Sequence, residues 1–80
     1  MENVNMLELI KGNTVRFSFY RNGHLYYDII KDGKPKWVFP VNIDDKKDIG
    51  IATFSAELKA ITLMRYIRKA VEKGELGRLN

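Results

Sequence analysis

The sequence predicts an α+β domain, a four-stranded antiparallel β-meander with one long C-terminal α-helix packed on one face. Two observations lead there. Three glycine-bearing loop signals, Lys11-Gly12-Asn13, Arg21-Asn22-Gly23 and Lys31-Asp32-Gly33, separate segments rich in β-branched and aromatic residues. Beyond Thr53 the apolar spacing changes from the period of a strand to that of a helix.

The strands are expected at residues 6–10, 14–20, 24–30 and 35–41. Alternation is clearest in the second, where Val15, Phe17 and Phe19 share one face and Arg16, Ser18 and Tyr20 the other. Directly opposed residues in an antiparallel pair point to the same side, so loop length can be tested against parity. A two-residue Asn22-Gly23 turn would oppose Phe19 to Tyr26. A three-residue Arg21-Asn22-Gly23 loop opposes Phe19 to Leu25 and Phe17 to Tyr27, which keeps the apolar set together. The same rule at Lys31-Asp32-Gly33 opposes Tyr27 to Trp37 and Leu25 to Phe39. The expected core face is Val15, Phe17, Phe19, Leu25, Tyr27, Ile29, Trp37 and Phe39, joined by Leu7 and Leu9. Pro40, which cannot donate to a ladder, marks the end or edge of the fourth strand.

Residues 42–52, with Asp44, Asp45, Lys46, Lys47 and Asp48, read as a polar connection, and the helix is expected over about 53–73. Thr53 or Ser55 can cap it and Gly74 can stop it. Ala56, Ala60, Leu63, Met64, Ile67, Ala70 and Val71 fall in one stripe, widened in the first turns by Phe54, Leu58 and Ile61. Residues 75–80 read as a tail. With 80 residues the chain reads as a single domain, whose thin core would gain from self-association.

Composition excludes several function classes. The chain has no cysteine, which removes disulfides, thiolate nucleophiles and sulfur-ligated zinc. Glu2 and Glu8 interrupt an N-terminal stretch without a basic leader, so no secretory signal is read there. No apolar run approaches the roughly 20 residues that span a bilayer. A cytoplasmic location and no membrane partner follow as expectations. His24 stands alone beside a hairpin turn with no serine at nucleophile spacing, and Asp44, Asp45 and Asp48 lack the calcium-loop pattern. No catalytic residue, metal site or cofactor is expected.

Charge is distributed unevenly. Residues 1–58 carry eight basic and eight acidic side chains, whereas residues 59–80 carry six and two, so the whole net charge of +4 belongs to the last 22 residues. On a helix, Lys59, Thr62, Tyr66, Lys69 and Lys73 form one stripe, with Arg65 beside it and Arg68 on the other shoulder of the apolar face. Such a ridge attracts phosphates by Coulomb forces and counterion release, and its tyrosine could stack on an unpaired base. An amphipathic helix also needs a solvated polar face, and the ridge could be no more than that. The outer sheet face, expected to carry Arg16, Ser18, Tyr20, His24, Tyr26 and Lys36, admits two readings as well. It could stack single-stranded RNA, or its Tyr20, Tyr26, Ile30 and Val38 could bury against a second copy in a homodimer.

The segment Phe39-Pro40-Val41-Asn42-Ile43-Asp44, followed by Asp48-Ile49-Gly50-Ile51-Ala52-Thr53-Phe54 and then Lys59-Ala60 to Met64-Arg65-Tyr66-Ile67-Arg68-Lys69, covers about the second half of the chain. It resembles small accessory proteins of T-even-type bacteriophages, the group of the toxin inhibition factor A. That resemblance implies an RNA-binding protein, active in the host cytoplasm, that counteracts an RNA-cleaving toxin of a host toxin-antitoxin defence. The expected RNA-contacting residues are Lys34, Lys36, Lys59, Arg65, Tyr66, Arg68, Lys69 and Lys73. The resemblance also implies a host toxin endoribonuclease as a partner. Two alternatives stay open: a protein inhibitor that docks directly on a host enzyme through its exposed sheet face, and a structural dimer with no nucleic-acid role.

Overall fold

The computed structural model describes residues 5–42 and 57–79, in which an antiparallel sheet carries its helical elements on one face. In chain order these are helix α1 (Met6–Ile10), strands β1 (Thr14–Arg21), β2 (His24–Lys31), β3 (Lys34–Asn42) and β4 (Leu58–Lys59), a 3₁₀ turn (Ala60–Leu63), helix α2 (Met64–Lys73) and strand β5 (Gly77–Arg78). The sheet order is β4-β1-β2-β3-β5. The α+β class stands, but among the described residues the sheet has five strands, not four, and the C-terminal helix is shorter than expected.

The first expected strand is a helix. Asn5 caps it by accepting the Leu7 amide at 2.9 Å, and five good helix formers follow. A helical turn puts Met6, Leu9 and Ile10 on one side, against the core, and leaves Leu7 61% exposed, so Leu7 is not a core residue. Asn13 then locks the corner. Its side-chain amide donates to the Glu8 and Leu9 carbonyls at 3.0 and 3.1 Å, and its own carbonyl accepts the Ala60 amide at 3.0 Å.

Both central hairpins close with two-residue turns in which Asn22-Gly23 and Asp32-Gly33 all have positive φ, the signature of type I′. The expected three-residue loops do not form. The extra residue sits further along the strands as a bulge, at Ser18 in β1 and at Lys36 in β3. Between turn and bulge Phe19 opposes Tyr26, and beyond it Phe17 opposes Tyr27 as expected. Phe19 is therefore outside the core, 42% exposed and stacked on Tyr26 at 4.7 Å, while Tyr20 moves to the Leu25 side. In the second hairpin Tyr27 opposes Phe39 and Ile29 opposes Trp37, a shift of two residues from the expected pairing that preserves which face each residue takes. Pro40 is tolerated because β5 pairs with β3 only at Trp37 and Val38, which leaves β3 an edge strand at the proline.

The core of the described residues is Leu9, Val15, Leu25, Tyr27, Ile29, Phe39, Val41, Ala60, Leu63, Tyr66, Ile67 and Ala70, with Trp37 and Leu58 half-buried against it. Leu58-Lys59, expected as helix, is extended and pairs with the edge of β1; the 3₁₀ turn that leads into α2 begins at Ala60, and Ile61 is 60% exposed. Gly74 ends α2 in a left-handed conformation, its amide and that of Glu75 capping the Val71 and Ala70 carbonyls. The residues expected to be a tail return as β5, antiparallel to β3. The acidic connection, the caps Thr53 and Ser55, and the stripe residues Phe54 and Ala56 lie outside the described residues. Among the described residues no helix is long and apolar enough to cross a membrane.

Candidate nucleic-acid interface

Helix α2 buries Tyr66, Ile67 and Ala70 and turns Arg65, Arg68, Lys69, Glu72 and Lys73 to solvent. Arg65, Lys69 and Lys73 recur every fourth residue, so they line one side of the exposed arc at about 6 Å intervals along the axis. Arg68 belongs to the same arc, across Glu72, rather than to a separate shoulder. Glu72 is the acidic residue in this face that the charge count alone did not place; it lies one helical turn from both Arg68 and Lys69 and reduces the local potential there.

Tyr66 is 3% exposed, so it does not offer a free ring to a base. It supports the cations instead. The Arg65 guanidinium donates to the Tyr66 hydroxyl at 3.1 Å and its Cζ lies 4.9 Å from the ring centroid, while Lys69 Nζ lies 6.0 Å from it. Such cation–π contacts hold long side chains in place before a ligand arrives. Beyond Tyr66, Lys69 and Lys73 line a cleft of about 150 Å³ with His24, Asn42 and Glu75. His24 and Asn42 are opposed across β2 and β3, and His24 Nδ1 lies 3.1 Å from the Asn22 carbonyl, a contact in which an Nδ1–H donates. Sequence spacing gave no hint of these two, because only the register and the packing of α2 bring them into one cleft with its cations.

The remaining expected site residues are elsewhere. Lys34 opens β3 opposite Lys31, at the other end of β2 from His24, and seven strand steps put these ends roughly 23 Å apart. Lys36 sits at the bulge on that end, in a different cleft, with Lys31, Trp37 and Arg78. Lys59 is exposed on β4 and shares a third hollow with Lys11 and Ile61 beside β1. The structure thus gathers Arg65, Arg68, Lys69 and Lys73 on one face and sets Lys34, Lys36 and Lys59 apart from them. The expected single ridge breaks at Lys59, which is extended rather than helical.

The outer sheet face carries Arg16, Tyr26, Asp28 and Val38, with Phe19 in the place expected of Tyr20. Among the described residues no three His, Asp or Glu side chains gather to hold a metal ion. No family model matches the chain, and no curated protein or solved structure is significantly similar to it.

Proposed function

We propose that the protein binds RNA through phosphate contacts made by the exposed face of α2, with Arg65, Lys69 and Lys73 as the principal cations and Arg68 at their flank. The observation that carries this reading is the alignment of three cations on successive turns, two of them held against the ring of a buried tyrosine. Positioned cations on a convex helix recognise backbone charge and not base identity, so binding is largely independent of sequence. Tyr66 acts by holding Arg65 and Lys69. Lys34, Lys36 and Lys59 make separate contacts at the far end of the sheet when the strand is long enough to reach them.

The resemblance to T-even accessory proteins supports a biological setting for this activity. In that setting the protein performs no catalysis, and RNA bound to it bridges to, or shields substrate from, an RNA-cleaving host toxin. The Phe19–Tyr26 stack, on the sheet face opposite the described helices, supports a second reading, docking of that face on another protein surface, a second copy included. The two readings differ in their electrostatics.

The test is triple charge reversal, Arg65→Glu, Lys69→Glu and Lys73→Glu, in one chain. Removing three phosphate contacts to a single strand is expected to lower RNA affinity on the order of 100-fold at about 0.1 M salt. Circular dichroism checks that the variant folds. Unchanged affinity in a folded variant rejects the α2 interface.

A further inference from the structure

A second cleft, of about 480 Å³, lies at the opposite end of the sheet from His24, between the β2–β3 turn and β5. Its lining brings together three cations, Lys31, Lys36 and Arg78, the half-buried indole of Trp37, and the carboxylate of Asp32. We propose that this cleft binds a nucleoside 5′-phosphate, either as a free nucleotide or as one residue of a single strand.

The backbone builds the site. Lys36 is the extra residue of the β3 bulge, between Pro35 opposite Ile30 and Trp37 opposite Ile29, and a bulge re-aims its side chain out of the regular alternation. The Leu79 amide donates to the Lys36 carbonyl at 2.7 Å, which ties the chain after β5 to that same bulge. Arg78 opposes Trp37, and Gly77 opposes Val38 so closely that a Cβ there would lie 2.9 Å from Val38 Cγ1. The missing side chain at Gly77 lets β5 seat against β3 and carries Arg78 to the indole.

The chemistry of the lining matches the parts of a nucleotide. Lys31, Lys36 and Arg78 supply charge-assisted donors for a phosphate. The half-buried indole of Trp37 lines the cleft, and stacking of a base on it is a contact typical of single-strand recognition. Asp32 accepts from an exocyclic amine. The volume lies within the range of small-molecule clefts. A purely anionic ligand would leave the indole unused, and a purely apolar one would match neither the cations nor the carboxylate of the lining. The site is separate from the α2 face and stands or falls independently of it.

Trp37 is the sole tryptophan, so its fluorescence reports the site directly. The experiment titrates the full-length protein with adenosine 5′-monophosphate, with a short oligoadenylate and with inorganic phosphate at low salt. Saturable quenching by the nucleotide or the oligonucleotide, absent with phosphate, is expected. Tighter binding of the oligonucleotide identifies the strand as the source, and equal or weaker binding identifies the free nucleotide. Lys36→Glu is expected to raise the half-saturating concentration at least about tenfold, the loss of one charge-assisted contact. Lys31→Glu, at the exposed turn, provides the same comparison should the bulge variant not fold. The α2 triple variant is expected to quench normally, so failure of the α2 reading remains distinguishable. Absence of saturable quenching, equal quenching by inorganic phosphate, or quenching unchanged in a folded Lys36→Glu or Lys31→Glu chain overturns the proposal.

Discussion

Tyr27 sits in the centre of the core, its ring edge-on to Phe17 at 5.7 Å and stacked with Phe39 at 5.9 Å, and its buried hydroxyl finds no hydrogen-bond partner among the described residues. A desolvated hydroxyl left unpaired costs about 1–3 kcal/mol. Tyr27→Phe keeps the aromatic packing and removes that group, so it is expected to leave stability unchanged or raise it by about 1 kcal/mol in urea unfolding at neutral pH. Burial also pushes the Tyr27 phenol above its ordinary pKa. The neutral phenol is favoured in the folded chain, so the stability of the fold is unaffected by ionisation of this group below about pH 10, where the unfolded phenol ionises, and falls as pH rises from there towards the folded value. The stability difference between wild type and Tyr27→Phe is therefore expected to widen in favour of the variant above about pH 10. Asn13 is the opposite case, a polar side chain only 8% exposed whose amide hydrogens and neighbouring carbonyl are all engaged in fixing α1 and the 3₁₀ turn. Neither role is legible in the sequence. Asn13 reads as a loop residue beside a glycine, and Tyr27 as one more member of an apolar face, because both depend on partners distant in the chain.

At the scale of elements, the three hairpin strands were legible to within a residue at each end, because alternation and the Asn-Gly and Asp-Gly signals agree there. Their detailed register was not. Parity demanded one extra residue in each hairpin, and parity alone cannot say whether that residue lies in the turn or in a bulge; the favourable type I′ turns decided for the bulges at Ser18 and Lys36. Residues 6–10, expected as a strand, form a helix instead, because a five-residue apolar run carries too little period to separate the two and the cap at Asn5 favours the helix. Leu58-Lys59 and Gly77-Arg78 escaped because two-residue strands carry no period, and each forms on the exposed edge of a stronger strand. Gly77 offers the clearest test of this edge docking. Gly77→Ala forces a methyl against Val38, whose branched side chain is stiff, and is expected to destabilise the fold by about 1–3 kcal/mol. Thermal unfolding measures the loss, and a change within error would mean that β5 is not seated as closely as the structure places it.

For the molecule as a whole, the decisive feature is how the topology divides the positive charge. The sequence shows an excess of six basic over two acidic residues after position 58 and suggests one continuous ridge. Folding splits it. Arg65, Arg68, Lys69 and Lys73 stay on α2 above the His24–Asn42 end of the sheet, Lys59 goes to the β1 edge, and Arg78 joins Lys31 and Lys36 at the opposite end. Half of the expected site was legible because helical spacing is a local property. The other half depends on which strand ends meet, and that is fixed by the sheet order. Basic side chains near both ends of β2, which are roughly 23 Å apart, suit a chain that holds a strand along its backbone instead of reading one base step.

The salt dependence of RNA binding tests that account most directly. Protein free of nucleic acid is titrated with a mixed-sequence single-stranded RNA at a series of salt concentrations. Three or four phosphate contacts from α2 predict a linear fall of log K against log salt with a slope at least as steep as about −2 to −3, made shallower by about 2 in the Arg65, Lys69 and Lys73 triple reversal. Binding that is indifferent to salt, or no binding at the lowest salt, would contradict an RNA-binding α2 face and leave the aromatic outer sheet as the surface that meets a partner.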